Sequence, residues 1–340
     1  MKRMALRCIG FLAACIAGAA TASADAVSDF YTGKTIDFYV AFPPGGGYDL
    51  YARAVTPYLT RHIPGNPQIL IRNMEGGSGV RAASYISNVT QQDGRALGMF
   101  LDNLTNGKVL GGPGEFDPVK MVWIGRIAAT ATLAAVWHTS KAQSVLEARD
   151  RELIIATSVA SNSSSFIPLA LNDLAGTKFR MIAGYQGSPP MALAMEQGEV
   201  EAISAISWEA LQLTKPDWLR ENKVKFLYTL GAIRLRELPD VPAIPEFARD
   251  EAGRRILALL GSGPDIGRAL TAEPGIPPAR AAALRKAFME TMRDPEFLAE
   301  AEKRKMLIDP LSGEDLQKVV EQAAATPADL IERAKKYIGK

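Results

Sequence analysis

The sequence predicts an α/β protein built from two similar lobes. Short apolar stretches alternate with helical patterns along the chain, as they do when helices pack on a largely parallel sheet. Twice, a strand runs into a loop of small residues and then a helix, first at 35–59 and again at 153–175. With 340 residues the chain has room for two ordinary domains.

The first segment, MKRMALRCIGFLAACIAGAATASADA, has a basic start, an apolar core from Cys8 to Ala20, and Ala22-Ser23-Ala24 before Asp25. This is the pattern of a secretory signal peptide, residues 1–24, and its core is too short for a membrane span. Leu12-Ala13-Ala14-Cys15 resembles a lipoprotein box, which makes lipidation at Cys15 the rival processing mode. Both cysteines lie in this segment. A mature chain cut after Ala24 therefore has no thiol for a disulfide, a metal or catalysis. The expected location is the periplasm. The 39 basic and 37 acidic residues nearly balance once Lys2, Arg3 and Arg7 are removed. That balance argues against nucleic acid and anionic membrane as partners.

Thr35-Ile36-Asp37-Phe38-Tyr39-Val40 alternates at period two and reads as the first strand. After the loop that follows, Asp49 stands where a helix cap belongs, and Leu50, Ala54, Tyr58 and Leu59 mark one helical face. Pro57 predicts a kink or break in that helix. Gln68–Arg72 is the second strand, ended by Glu75-Gly76-Gly77-Ser78-Gly79. A helix is expected over Ala82–Val89 and a strand over Ala96–Phe100. An apolar block covers Ala128–Trp137, and a charged helical stretch covers Ser144–Glu152. Leu153–Thr157 is a strand entering the polar loop Ser158–Ser165, with a helix from Ile167 to Ala175. The last third reads as four helices, Pro278–Arg293, Pro295–Lys305, Glu314–Ala325 and Pro327–Ile338, each opening near proline or a capping residue. The expected lobes are discontinuous: 27–128 with 233–340, and 129–232.

The loop VAFPPGGGYDLYAR carries three consecutive glycines, each costing backbone entropy on folding. It lacks the Lys-Ser/Thr of a P-loop, and Leu50 stands where a dinucleotide turn needs glycine. An anion cradle at a helix N-terminus and a simple tight turn both remain open. Ser78 is not in a nucleophile elbow, because Val80 occupies the glycine position of G-x-S-x-G. His62 and His138 have no carboxylate pattern beside them, and Asp150/Glu152 and Glu199/Glu201 read as solvated charges. No catalytic set emerges, so the chain is expected not to be an enzyme.

The stretches VAFPPGGGYD, RHIPGNPQILIRNMEGGSG, GEFDPVKMVWIGR, ELPDVPAIPEF and IPPARAAALRKAFMETMRDPEFLAEA, taken in order, resemble the substrate-binding proteins of tripartite tricarboxylate transporters, the Bug family. The resemblance runs from Tyr31 to Val320. It implies a type II periplasmic binding protein whose two α/β lobes close on a ligand like a flytrap. It further implies a small organic carboxylate as ligand, a di- or tricarboxylate or an aromatic acid. The partner would be a membrane permease with one large and one small subunit. No cofactor, metal or nucleic acid is implied, and a monomer is expected. The alternative is a ligand sensor that docks on a sensor kinase.

The family's first gripping loop falls on Pro43, Pro44, Gly45, Gly46, Gly47, Tyr48 and Asp49, with Tyr48 where relatives carry a small hydroxyl. Its second falls on Ser158–Ser165, making Ser158, Ser161, Asn162, Ser163 and Ser164 candidate donors, although the usual glycines are missing. A third segment, usually Tyr-Lys-Gly-Ser, appears as Tyr185, Gln186, Gly187 and Ser188, without the lysine. Asn103 and Trp208 complete the candidate ligand-binding set, and Arg53 is read as a structural ion-pair partner. A carboxylate held by neutral donors at helix termini needs no arginine, because charge-assisted hydrogen bonds are about twice as strong as neutral ones.

Overall fold

The computed structural model describes residues 26–158 and 162–338. The segment 1–24 read as a signal peptide, with Cys8 and Cys15, lies outside the described residues, as does Ser161. The chain divides into two compact units. One takes the chain up to Phe100 together with Gly114–Ile127 and Ala269–Glu314. The other takes Leu101–Pro113, Ala128–Arg268 and the chain from Asp315 onward.

The first unit opens with a short helix α1 (26–31), then β1 (Thr35–Val40), α2 (Gly47–His62), β2 (Gln68–Asn73), α3 (Val80–Asn88) and β3 (Ala96–Met99). It is completed by β4 (Val122–Ala128), β10 (Arg268–Ala272), α10 (Pro278–Thr291), α11 (Pro295–Lys303) and the two-residue β11 (Leu311–Ser312). Six strands form its sheet in the order β11-β4-β10-β3-β1-β2. β1 runs parallel to both β2 and β3, while β10 is antiparallel to β3. β3 is buried at every position, which matches its place inside the sheet, and β2 at the edge alternates exposed and half-buried. α2 runs unbroken through Pro57. Proline here removes one backbone donor, but buried Ala52, Ala54, Val55 and Leu59 hold the helix on the sheet.

The second unit contains α4 (Leu104–Val109), β5 (Thr132–Trp137), β6 (Leu153–Ala156), α5 (Ser163–Leu174), β7 (Phe179–Ile182), α6 (Ser188–Glu196) and β8 (Ala202–Ser207). α7 (Trp208–Thr214), α8 (Pro216–Arg220), β9 (Val224–Thr229), α9 (Glu251–Ile266), α12 (Gly313–Ala324) and α13 (Ala328–Lys335) follow. Its five strands are ordered β7-β6-β8-β5-β9, with β6 parallel to β7 and β8 and β5 antiparallel to β8 and β9. The stretch 144–152 forms only a short turn of 3-10 helix at Glu147–Arg149.

Segments 233–268 and 315–340, which the sequence reading groups with the first lobe, belong to the second unit. The reason is burial. Leu257, Leu259 and Leu260 of α9 share one core with Leu153, Ile155, Ile167 and Leu171, and Leu330, Ala334 and Tyr337 join it from the C-terminal end. A helix with that much apolar surface must cover something, and this core is where it is covered. No helix among the described residues is long and apolar enough to cross a membrane.

Candidate ligand-binding site

In the first unit the glycine loop joins the C-terminal end of β1 to the N-terminus of α2, where open α/β sheets commonly bind ligands. Its glycines have different reasons. Gly45 sits at φ +83°, a region that a side chain strains. Gly46 is the helix N-cap in extended conformation, with no side-chain cap bond. Gly47 is the first helical residue, exposed, with open space around its Cα.

Asp49 is not the cap that its position predicts. It lies in the first turn of α2, wholly buried, and reaches back into the loop. Its Oδ2 accepts from Gly45 N (2.8 Å) and from Arg53 Nε (2.7 Å), and its Oδ1 accepts from Asn73 Nδ2 (2.8 Å). Asn73, at the end of β2, also donates to Phe42 O at 2.8 Å. Burial alone would raise the Asp49 carboxyl, but the bonds from Arg53, Asn73 and Gly45 outweigh it and hold the group below its usual range. Both carboxylate oxygens are thus spent on the protein. Asp49 fixes the loop's shape instead of offering itself to a ligand, and Arg53 has the structural role expected of it.

The rest of the loop is on view. Pro43, Pro44 and Gly45 are exposed, and Tyr48 is half-buried with its ring stacked on Phe42 at 4.3 Å and 11°. A helix of 16 residues begins here, and the N–H groups of its first turn have no intrahelical partners. Together with the macrodipole they favour an anion. Beside this loop, Gly76, Gly77 and Gly79 all take positive φ after β2, at the same edge of the sheet. The run EGGSG signals this second loop in the sequence, but the initial candidate set omits it.

In the second unit, the loop after β6 is wired internally. Asn162 caps α5 by accepting from Ser164 N at 3.1 Å, so the helix begins at Ser163, four residues earlier than predicted. Ser158 and Ser164 are buried and their hydroxyls bond each other at 2.6 Å, with Ser158 N donating to Ser164 Oγ at 3.2 Å. Ser165 Oγ donates to Ser158 O at 3.1 Å. These hydroxyls tie the end of β6 to the first turn of α5. Of the candidates described here, Asn162 is exposed and Ser163 half-buried, and they are the accessible pair.

The loop after β7 is tied to the same edge. Tyr185 N donates to Thr157 O at 3.3 Å, and Gly187, at φ +89°, caps α6. Pro189 and Pro190 remove two N–H groups from the first turn of α6, so this terminus is a poorer anion site than that of α2. Tyr185 and Ser188 are half-buried and contribute through their hydroxyls. Trp208 opens α7 after Ser207, whose Oγ caps that helix by accepting from Ala210 N at 3.0 Å. Its half-buried ring meets Phe226 edge-on at 5.8 Å. Asn103 is exposed and precedes α4, with no side-chain cap bond. Elsewhere, His62 Nε2 lies 2.9 Å from Asp294 Oδ2 and His138 is exposed. Among the described residues no group of His, Cys, Asp and Glu is placed to hold a metal ion.

The chain matches no protein-family model and no curated protein sequence. Solved structures do match it. It is similar to a TctC solute-binding protein from Polaromonas, solved without ligand, at 20% identity and a TM-score of 0.70, over 89% of this chain and 99% of that one. MatC from Rhodopseudomonas palustris, solved with malate, matches at 19% identity and 0.52, over 90% and 99%. A second R. palustris protein, solved with adipate, matches at 21% and 0.55, over 90% and 97%. The fold is therefore that of type II periplasmic binding proteins, two α/β units each with its own sheet. Within that class, it is the fold of the TctC-type proteins that the sequence motifs resemble.

Proposed function

We propose that this chain is an exported, non-enzymatic solute-binding protein for a small organic carboxylate, and that it delivers its ligand to a two-subunit tripartite tricarboxylate permease. The observation that carries the reading is the loop before α2. Its backbone is set by a buried carboxylate with no oxygen to spare, and the exposed turn leads straight into the N-terminus of a long helix. An anion there meets N–H donors and a positive dipole end, in a site already shaped before it arrives. In the second unit, Asn162, Ser163, Ser188 and Tyr185 add neutral donors at the same edge of their own sheet. Malate and adipate, held by two proteins of this fold, are ligands of the proposed class.

The test is a thermal-shift screen of the purified mature protein, refolded to strip carried ligand, against di-, tri- and aromatic carboxylates. A ligand at 100 times its dissociation constant stabilises a protein by roughly 2.7 kcal/mol, which moves the melting point visibly. A panel in which no carboxylate raises the melting point would sink the binding reading. Delivery to a permease is tested separately: deletion of the gene is expected to abolish uptake of the ligand, and retained uptake with lost induction would favour the sensor-kinase role.

A further inference from the structure

The second unit has a small cavity that neither loop uses. It has a volume of about 180 Å³ and lies between β7 and α5. Phe166 and Leu169, on successive turns of α5, form one wall, and Met181 with Ala183 forms the other. Tyr337, in the turn just after α13, also lines it. Ala183 is exposed, so the cavity opens to the surface beside it.

At its inner end stands Thr157, the residue after β6. Its backbone is fully used, with N donating to Ile182 O at 2.9 Å and O accepting from Tyr185 N. Its side chain is not: Thr157 is 1% exposed, and its Oγ1 has no hydrogen-bond partner among the described residues. Buried hydroxyls are nearly always bonded, so an unsatisfied one lining a cavity marks a place for a partner from outside. The other polar groups here are engaged. Ser165 Oγ donates to Ser158 O, and the Tyr337 hydroxyl donates to the Asp173 carboxylate.

We infer that this cavity is a binding site for an uncharged, ring-sized molecule carrying one hydrogen-bonding atom, which Thr157 Oγ1 engages. The size fits, since roughly 150 Å³ accommodates benzene. The charge follows from the walls. Among the described residues no lysine, arginine or histidine lines the cavity, so a carboxylate entering it would lose its water for a single hydroxyl and no opposite charge. A phenol keeps its ring against apolar side chains and exchanges one hydrogen bond with the threonine. This site is independent of the carboxylate reading, which it neither needs nor supports.

The probe is para-fluorophenol, titrated into the mature protein and followed by fluorine NMR, with fluorobenzene in parallel. Saturable binding of the phenol to the wild type is expected. Ala183→Phe, at an exposed position, fills the mouth and is expected to weaken both probes at least tenfold. Thr157→Val should weaken the phenol roughly fivefold, the worth of one hydrogen bond, and leave fluorobenzene unchanged. Absence of saturable binding to folded wild type, or equal binding by Ala183→Phe, overturns the assignment. If Thr157→Val fails to fold, the Ala183→Phe comparison still decides it.

Discussion

Two buried acids of the first unit respond to pH in opposite senses. Asp49, ionised and held by three donors, has its carboxyl lowered, so its contribution to stability is present above the ordinary value near 4 and fades as pH falls through the folded-state value. Glu273, which follows β10, is fully buried; Gly94 N donates to its Oε1, and its Oε2 has no hydrogen-bond partner among the described residues. Burial above all pushes its carboxyl up. Its contribution is therefore full below the ordinary value near 4.3 and is lost as pH rises through the raised one. In denaturant titrations Asp49→Asn is expected to cost about 2 kcal/mol at pH 7 and markedly less at pH 3. Glu273→Gln is expected to match the wild type near pH 4 and to exceed it at pH 8. The reverse order at pH 8 would show that Glu273 is ionised in the folded protein.

At the scale of elements, the glycine loop separates conformation from access. Gly45→Ala puts a Cβ into a left-handed backbone and should cost about 1 kcal/mol. Gly47→Ala enters open space at a helical position and should be neutral or stabilising by up to about 1 kcal/mol. Thermal melts of the two variants check this, and equal losses would mean that Gly47 is also conformationally required. Much of this architecture is legible in the sequence, for physical reasons that vary by element. The first four residues of β1 alternate in burial, which makes the strand visible although Phe38, Tyr39 and Val40 are all buried, and α10 and α11 announce themselves by proline and Asp294 at their starts. α9 is hidden by Gly261, Gly263 and Pro264, which lower helix propensity but sit in its buried last turns. The first turn of α5 is hidden because three serines read as loop until Asn162 is seen capping them. The loop after β1 is visible as glycine and proline. Its latch is not, because Asn73 becomes the neighbour of Asp49 only through the parallel register that sets Val40 beside Asn73.

The two units are interleaved along the chain. It passes from one to the other after Phe100, Pro113, Ile127, Arg268 and Glu314. The first unit's sheet is joined by β10 on β3, where Thr271 Oγ1 donates to Gly98 O across 173 residues of sequence. A sheet closed by so distant a partner has high contact order, and chains of that kind refold in milliseconds to seconds, not microseconds. Stopped-flow tryptophan fluorescence after dilution from denaturant should show this, and a microsecond phase carrying the full amplitude would contradict it. The same wiring bears on synthesis. A nascent chain holding only the first hundred residues has β1, β2 and β3 but lacks the strand that flanks β3, so it cannot complete a native sheet while the remainder is still being made. If the chain is exported as proposed above, such a polypeptide would stay threadable while it is moved through a translocation channel, and it would reach its native form only once β10 had emerged on the far side.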